Sequence, residues 1–340
     1  MGIMHSEYRD RINHWIRTLK EDFYTPAGTL DWEVFKTMEQ LSFEEAGERT
    51  YERVEPGYTW GDTYEYAWFR TKLMLPEETA GKRIVLNLCP GGESTVFVNG
   101  SAFGTYRADW VKQPHHFLVD NTLTREAKTG DVFEICMETY AGHFYAEAQD
   151  SGCSTGPVLP GLYRDELAEG ARRTLGEGTY GIWDEDAYQL FMDVETLSSL
   201  LKTLDEDSLR AARVAEALEQ FTLLVDFEQE KEARSRDYRK ARAMLEPVLS
   251  AVNGSTMPVF SAIGNAHLDL AWLWPMAETY RKTARTFAAQ LRLMEEYKDY
   301  KFIQSQPACY EMCRKYYPEL FEEIRKAVKN GQWIAEGAMW

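Results

Sequence analysis

Hydrophobic periodicity changes along this chain from helical to alternating, back to helical, and then to a strand–helix rhythm, so one uniform architecture cannot hold all of it. Between about residues 60 and 180 the apolar positions alternate. Residues 66–75 read as a strand ending at Pro76, and in residues 83–89 Ile84, Leu86 and Leu88 point one way. Residues 94–98 run into Asn99-Gly100, a pair that takes positive φ readily and predicts a tight hairpin. Residues 131–140, introduced by Thr129-Gly130, form a further strand. Short strands at this spacing predict an antiparallel β-sandwich over residues 56–183.

The flanks read as helix. Trp15, Ile16 and Leu19, then Val34, Phe35, Met38 and Leu41, recur at roughly helical spacing, so residues 1–55 are expected to be a helical lead-in interrupted at Thr25-Pro26-Ala27-Gly28. Residues 184–252 form a helical connector, with one stripe of Leu197, Leu200, Leu201 and Leu204. A second stripe, from Leu209 to Val225, is introduced by the capping groups of residues 205–208. Asn253-Gly254-Ser255 is the linker to residues 255–340, where strand and helix alternate. The apolar run 259–264 reads as a doubly buried strand, residues 301–304 as a second, and residues 332–340 as the start of a third. Pro318 is placed to open a helix that Asn330-Gly331 closes. A βαβαβ run of this length is the opening of a parallel α/β domain, and the chain is expected to be the front of a longer protein.

Composition narrows the partners. The 38 Lys and Arg residues face 55 Asp and Glu, a formal charge of −17, and no basic block stands out. A phosphate backbone would be repelled over most of the surface, so nucleic acid is not expected as a partner. No stretch approaches the ~18–20 apolar residues that span a bilayer, and the N-terminus lacks a signal peptide's apolar core. The five cysteines include no CxxC pair, which argues against a disulfide framework and for a cytoplasmic protein. The Asn-Gly-Ser triplets at Asn99 and Asn253 are then turns.

The segment richest in chemistry is residues 264–275, Gly-Asn-Ala-His-Leu-Asp-Leu-Ala-Trp-Leu-Trp-Pro. His267 and Asp269 lie two apart at the carboxyl end of an expected parallel strand, a spacing that aims both side chains the same way. Such strand ends are where α/β folds place their sites. An imidazole nitrogen and a carboxylate oxygen at one mouth make half of a mixed N/O site suited to Zn²⁺. The spacing alone is common: six histidines among 55 acidic residues give roughly one His-x-acid triplet by chance, and His5-Ser6-Glu7 is such an instance. A histidine paired with a carboxylate for structural reasons is the competing reading. Trp272 and Trp274 beside the pair suit stacking on the apolar face of a sugar, or else belong to the core.

These blocks resemble glycoside hydrolase family 38 α-mannosidases. The stretches are AHLDLAWLWP, RKTARTFAAQLRLMEEY, FIQSQ, YPELFEEIRKAVKNGQW and GAMW. Upstream, WFRTKLMLP, GKRIVLNL, GGESTVFVNG and METYAGH resemble the β-sandwich that precedes the barrel in the cytosolic and bacterial branch. The resemblance implies a galactose-binding-like jelly roll, helical segments and the first βαβαβ part of a glycosidase α/β barrel. It implies a zinc-dependent retaining hydrolase of α-mannosides or mannose-containing oligosaccharides, with His267 and Asp269 as metal ligands and Trp272 packing on the mannose. The nucleophile would follow the GAMW turn, after Trp340, and the acid/base carboxylate and last histidine ligand later still. The 340 residues alone would then be inactive and hold zinc weakly or not at all, and the open barrel edge leaves room for a homo-oligomer.

Other candidates read as structural. His115-His116 are adjacent, so on a strand they face opposite ways. Gly91-Gly92 is a turn without the features of a phosphate loop. Cys309 and Cys313 belong to a buried helix face, and Glu336 is a supporting group near the third strand's end. Two further functions stay open: another metal-dependent hydrolase on a related barrel, and a non-catalytic sugar-binding or assembly module.

Overall fold

The structure, a computed structural model, describes residues 6–62, 64–106, 121–142, 172–226, 228–271 and 274–337. Its helices are α1 (Ser6–Asp22), α2 (Phe43–Gly47), α3 (Glu185–Leu201), α4 (Leu209–Leu224), α5 (Lys231–Leu249), α6 (Met276–Glu296), α7 (Pro307–Tyr316) and α8 (Pro318–Lys329). The first strands are β1 (Tyr24–Thr29), β2 (Trp32–Thr37), β3 (Glu52–Val54), β4 (Thr59–Trp60), β5 (Tyr66–Met74), β6 (Ile84–Asn87), β7 (Glu93–Val98) and β8 (Ser101–Tyr106). They continue with β9 (Thr122–Thr124), β10 (Val132–Tyr140), β11 (Arg173–Thr174), β12 (Thr179–Trp183), β13 (Gly264–Asn265), β14 (Phe302–Gln304) and β15 (Trp333–Ala335). The chain forms two compact units, residues 1–25 with 182–260 and residues 26–181 with 261–340.

The first unit is helical. Asp184 caps α3 by accepting from Ala187 N–H at 3.0 Å, and Ser208 caps α4 by accepting from Ala211 N–H at 3.1 Å. Trp15 of α1 meets Phe221 of α4 at 6.1 Å, and Phe23 packs edge-on against Phe191 at 5.2 Å. The buried Asp22 carboxylate accepts from Arg234 at 2.8 and 3.1 Å. Helix α1 therefore shares one core with the helices expected as a connector.

The strands form a six-stranded sheet of order β3-β2-β5-β10-β7-β8 and a four-stranded sheet of order β1-β12-β6-β9. Residues 24–37 are strands β1 and β2, which corrects the helical reading of residues 1–55. In β2 burial alternates from Trp32 to Val34, and the extended backbone pairs with both β3 and β5, so the apolar spacing served a pleat and not a helix turn. Asn99 and Gly100 have φ of 50° and 87° and join β7 to β8 in the expected two-residue turn. Gly91 has φ of 87°, and a Cβ there would lie 2.6 Å from the Thr174 carbonyl, so the glycine is required by both conformation and space.

Strands β13, β14 and β15 are parallel and in sequential order. The strand expected over residues 259–264 is not formed. Val259 and Phe260 are each 92% exposed, and only Gly264 and Asn265 pair with β14, so an apolar run without a neighbouring ladder stays irregular. Phe287, Phe302, Leu320, Ile324 and Trp333 build the core between this sheet and α6 to α8. Cys309 and Cys313 are fully buried in it, and burial pushes the Cys313 thiol up to about 12. Alkylation with iodoacetamide at pH 8 should leave both thiols unmodified until denaturant is added, as peptide mass spectrometry would read.

The register of the six-stranded sheet separates two faces. Val34, Phe69, Met137 and Val96 line one, and all are buried. Phe35, Trp68, Glu138 and Thr95 form a row across the other, with Tyr66, Arg70 and Glu93 on the same side. Helix α6 lies on this second face and meets its acidic positions with charge. Arg281 donates through Nε to Glu138 Oε1 at 2.6 Å, Lys282 donates to Glu93 at 2.9 Å, and Tyr66 donates its hydroxyl to Glu278 at 3.0 Å. Arg285 joins Glu278 and Glu93, so three carboxylates face three cations. Burial raises the Glu138 carboxyl, while the Arg281 guanidinium opposes that shift. Replacing Arg281 by Met should leave Glu138 uncompensated and cost about 3–5 kcal/mol, read as a lower urea midpoint.

Candidate functional site

The site forms where the parallel strands end. Strand β13 stops at Asn265, whose side chain donates to the Ile303 carbonyl at 2.9 Å, and the chain then runs on without a ladder. Two glutamines at the end of β14 replace that ladder. Gln304 Nε2 donates to Ala266 O at 3.0 Å; Gln306 accepts from Leu268 N–H at 2.9 Å and donates to Leu268 O at 2.6 Å. Both glutamine side chains are buried, so they satisfy main-chain groups that water does not reach. Leu268 and Leu270 pack against the core, which turns His267 and Asp269 outward.

The two site residues come together. His267 Nε2 lies 3.1 Å from Asp269 Oδ1, with side chains 67% and 43% exposed. Ligands bonded to one zinc at ~2.0–2.1 Å are themselves roughly 3 Å apart, so this separation and this donor chemistry suit neighbouring positions on one ion. Among the described residues no third His, Cys, Asp or Glu joins them. The pair supplies two donors of a set that normally holds at least three.

Beyond Asp269 the chain turns through Ala271, at φ of 64°, a conformation that costs a residue with a side chain about 1 kcal/mol or more. Thr279 in the first turn of α6 holds this bend. Its hydroxyl accepts from Ala271 N–H at 3.1 Å and from Trp274 Nε1 at 2.9 Å. Lys282, already bound to Glu93, sits over the Trp274 ring at 4.5 Å. Trp274 thus has a structural role. Trp272, His115 and His116 lie outside the described residues. Glu336 is exposed, and its N–H donates to Gln304 O at 3.1 Å.

The glutamines, Thr279 and Lys282 were not singled out by spacing. FIQSQ carries both glutamines within three residues of a strand end, which is the signal that could have found them.

Residues 28–158 match the family model described as the α-mannosidase jelly roll domain, and residues 257–340 match that of the glycosyl hydrolases family 38 N-terminal domain. Over residues 257–340 the chain resembles glycosyl hydrolase family 38. Its sandwich overlaps the segment matched to the α-mannosidase jelly roll, and the His267–Asp269 mouth lies within the segment matched to the family 38 N-terminal domain. Human α-mannosidase 2C1 is 24% identical across 97% of this chain and 31% of its own length. Alpha-mannosidase G of Dictyostelium discoideum is 25% identical over 89% and 26%, and an α-mannosidase of Saccharomyces cerevisiae 23% over 86% and 26%. The chain therefore spans between about a quarter and a third of these relatives. Among solved structures, a Ruminococcus gnavus β-glucuronidase aligns with 48% of this chain and 29% of its own at 18% identity and a TM-score of 0.33, too slight a likeness to bear on function. Among the described residues no helix is long and apolar enough to cross a membrane.

Replacing Gln306 by Ala removes both hydrogen bonds to Leu268. It should cost about 1–3 kcal/mol and speed amide exchange across residues 266–271, while exchange within α1 and α3 to α5 stays as it was.

Proposed function

We propose that this chain is part of a zinc-dependent retaining α-mannosidase, with His267 and Asp269 as metal ligands at the mouth of the parallel sheet. The carrying observation is that these two donors converge at the carboxyl end of β13, inside the segment matched to the family 38 domain. The names of the relatives supply the substrate class, an α-mannoside.

Each residue's part follows from its position. Leu268 and Leu270, anchored in the core, fix the direction of the two ligands between them. Gln304 and Gln306 hold the intervening backbone, so the donors need little reorganisation to bind. Zinc, when bound, would polarise adjacent sugar hydroxyls as a Lewis acid. Trp272, three residues after Asp269, is proposed to pack on the sugar's apolar face. Retention requires two carboxyl groups about 5–5.5 Å apart, and neither is assigned among the described residues. The four described cysteines are free thiols, which supports a cytoplasmic location.

In the protein that carries this chain, 4-nitrophenyl α-mannoside should be cleaved and the β-anomer should not. His267→Ala and Asp269→Asn should each lower zinc content and turnover together, zinc being read by elemental analysis. Wild-type zinc in both variants, or activity indifferent to chelation, would remove the metal assignment.

A further inference from the structure

The register of the parallel sheet brings one more charged side chain to the face that carries His267 and Asp269. Phe302 pairs with Trp333, Ile303 with Ile334 and Gln304 with Ala335. The Glu336 N–H donates to the Gln304 carbonyl at 3.1 Å, which carries the ladder one residue past β15. Phe302 and Trp333 are buried in the core against α6 to α8, and Ala335 lines a groove with Phe321 and Ile324 of α8. Positions 333 and 335 thus take the helix side of the sheet, and alternation sends Ile334 and Glu336 to the other side. Leu268 and Leu270 also take the helix side, so His267 and Asp269 share the open side with Glu336.

Spacing decides what Glu336 can reach. Neighbouring strands lie ~4.8 Å apart, so a residue on β15 starts about 10 Å from one on the line of β13. Among the described residues no third ligand joins the His267–Asp269 pair, so Glu336 stands across the opening from it and not on the same ion. Between the two lies room for a single sugar ring.

Chemistry narrows the occupant. Parallel sheets are covered on both faces, and this one carries the half-buried Ile303 and Ile334 just below the rim. An ionised carboxylate at such a rim needs a donor once it is covered. Glu336 is exposed, and no side chain among the described residues pairs with its carboxylate. A phosphate or carboxylate ligand would be repelled by Glu336 and Asp269 together, whereas a sugar hydroxyl donates to an acid.

We infer that Glu336 is a specificity-determining residue of this site, its carboxylate accepting from one ring hydroxyl of the sugar that the metal pair faces. The inference rests on the mannosidase reading and adds to it a substrate contact from the third strand.

The test uses the protein that carries this chain, with 4-nitrophenyl α-mannoside and its monodeoxy analogues. Glu336→Ala should raise KM about tenfold with kcat within about threefold of wild type, while zinc by elemental analysis and the urea midpoint stay unchanged. Glu336→Gln, which keeps an acceptor, should recover part of the loss. One monodeoxy analogue should show the same tenfold loss in the wild type and lose nothing further in Glu336→Ala, a pattern that a merely structural residue would not give. Wild-type KM in Glu336→Ala, an equal penalty for every analogue, zinc lost with the substitution, or a kcat that falls a thousandfold would each overturn the inference. A wild-type protein that neither binds nor cleaves the mannoside would overturn the mannosidase reading and this inference with it, and that result precedes any substitution, so the two failures are told apart.

Discussion

Helix α6 lands on a sheet face whose residues alternate outward, and the match of charge across that contact is what the second unit depends on. That face is mixed: Phe35, Trp68, Phe97 and Cys136 form an apolar cluster on it, while Glu93 and Glu138 bring charge to the part that α6 covers. A helix with an ordinary apolar stripe would bury Glu93 and Glu138 without partners, at several kcal/mol each. Arg281, Lys282 and Arg285 supply those partners, and Glu278 with Tyr66 returns a carboxylate so that the layer closes without net charge. The far end of α6 is tied down in the same way: the nearly buried Glu296 carboxylate meets Arg83 at 3.1 Å and also pairs with Arg125. A layer of this kind adds little stability over an apolar one, but it tolerates few alternative placements, because a shift by one turn breaks every pair.

That placement reaches the site through short links. Glu93 belongs to β7 of the sandwich, Lys282 to the second turn of α6, and Trp274 to the segment that follows Asp269. Thr279, one turn earlier, holds both Ala271 and Trp274. The left-handed Ala271 bend is therefore fastened to a helix that is itself fastened to the sandwich. The jelly roll is part of the scaffold of the mouth, since a change at Glu93 has a path of three contacts to the loop that carries His267 and Asp269.

Much of this was legible in the sequence, and what was not has physical causes. Strand alternation, the Asn99-Gly100 turn, Pro318 at a helix start and the His267–Asp269 pair all rest on local geometry, which spacing reports directly. Residues 24–37 misled because Val34 and Phe35 fit a helical period with Met38 and Leu41, while the deciding fact, pairing with β5, lies about thirty residues further along the chain. Val259 and Phe260 misled in the opposite sense, since an apolar run reads as buried whether or not a neighbouring strand exists to cover it. The ionic layer was invisible for a third reason. Arg281 and Arg285 look like the solvent side of an amphipathic helix whose apolar side carries Ala284, Phe287 and Leu291, and only the tertiary contact shows that both sides are buried.

The short β13 explains why the site needs side chains to hold its backbone. Two residues of parallel pairing leave residues 266–271 with main-chain donors and acceptors that no ladder takes up, close enough to the core that Leu268 and Leu270 pack into it. Gln304 and Gln306 take up those groups because an amide offers both donor and acceptor, and each meets the loop from the neighbouring strand's end. A longer strand would satisfy the same groups, but it would carry the pleat through Asp269 and leave no bend at Ala271. Stopping the strand early and substituting glutamine for the ladder keeps the alternation of side chains while freeing the chain to turn, so that an imidazole and a carboxylate project together from a backbone that is otherwise fixed.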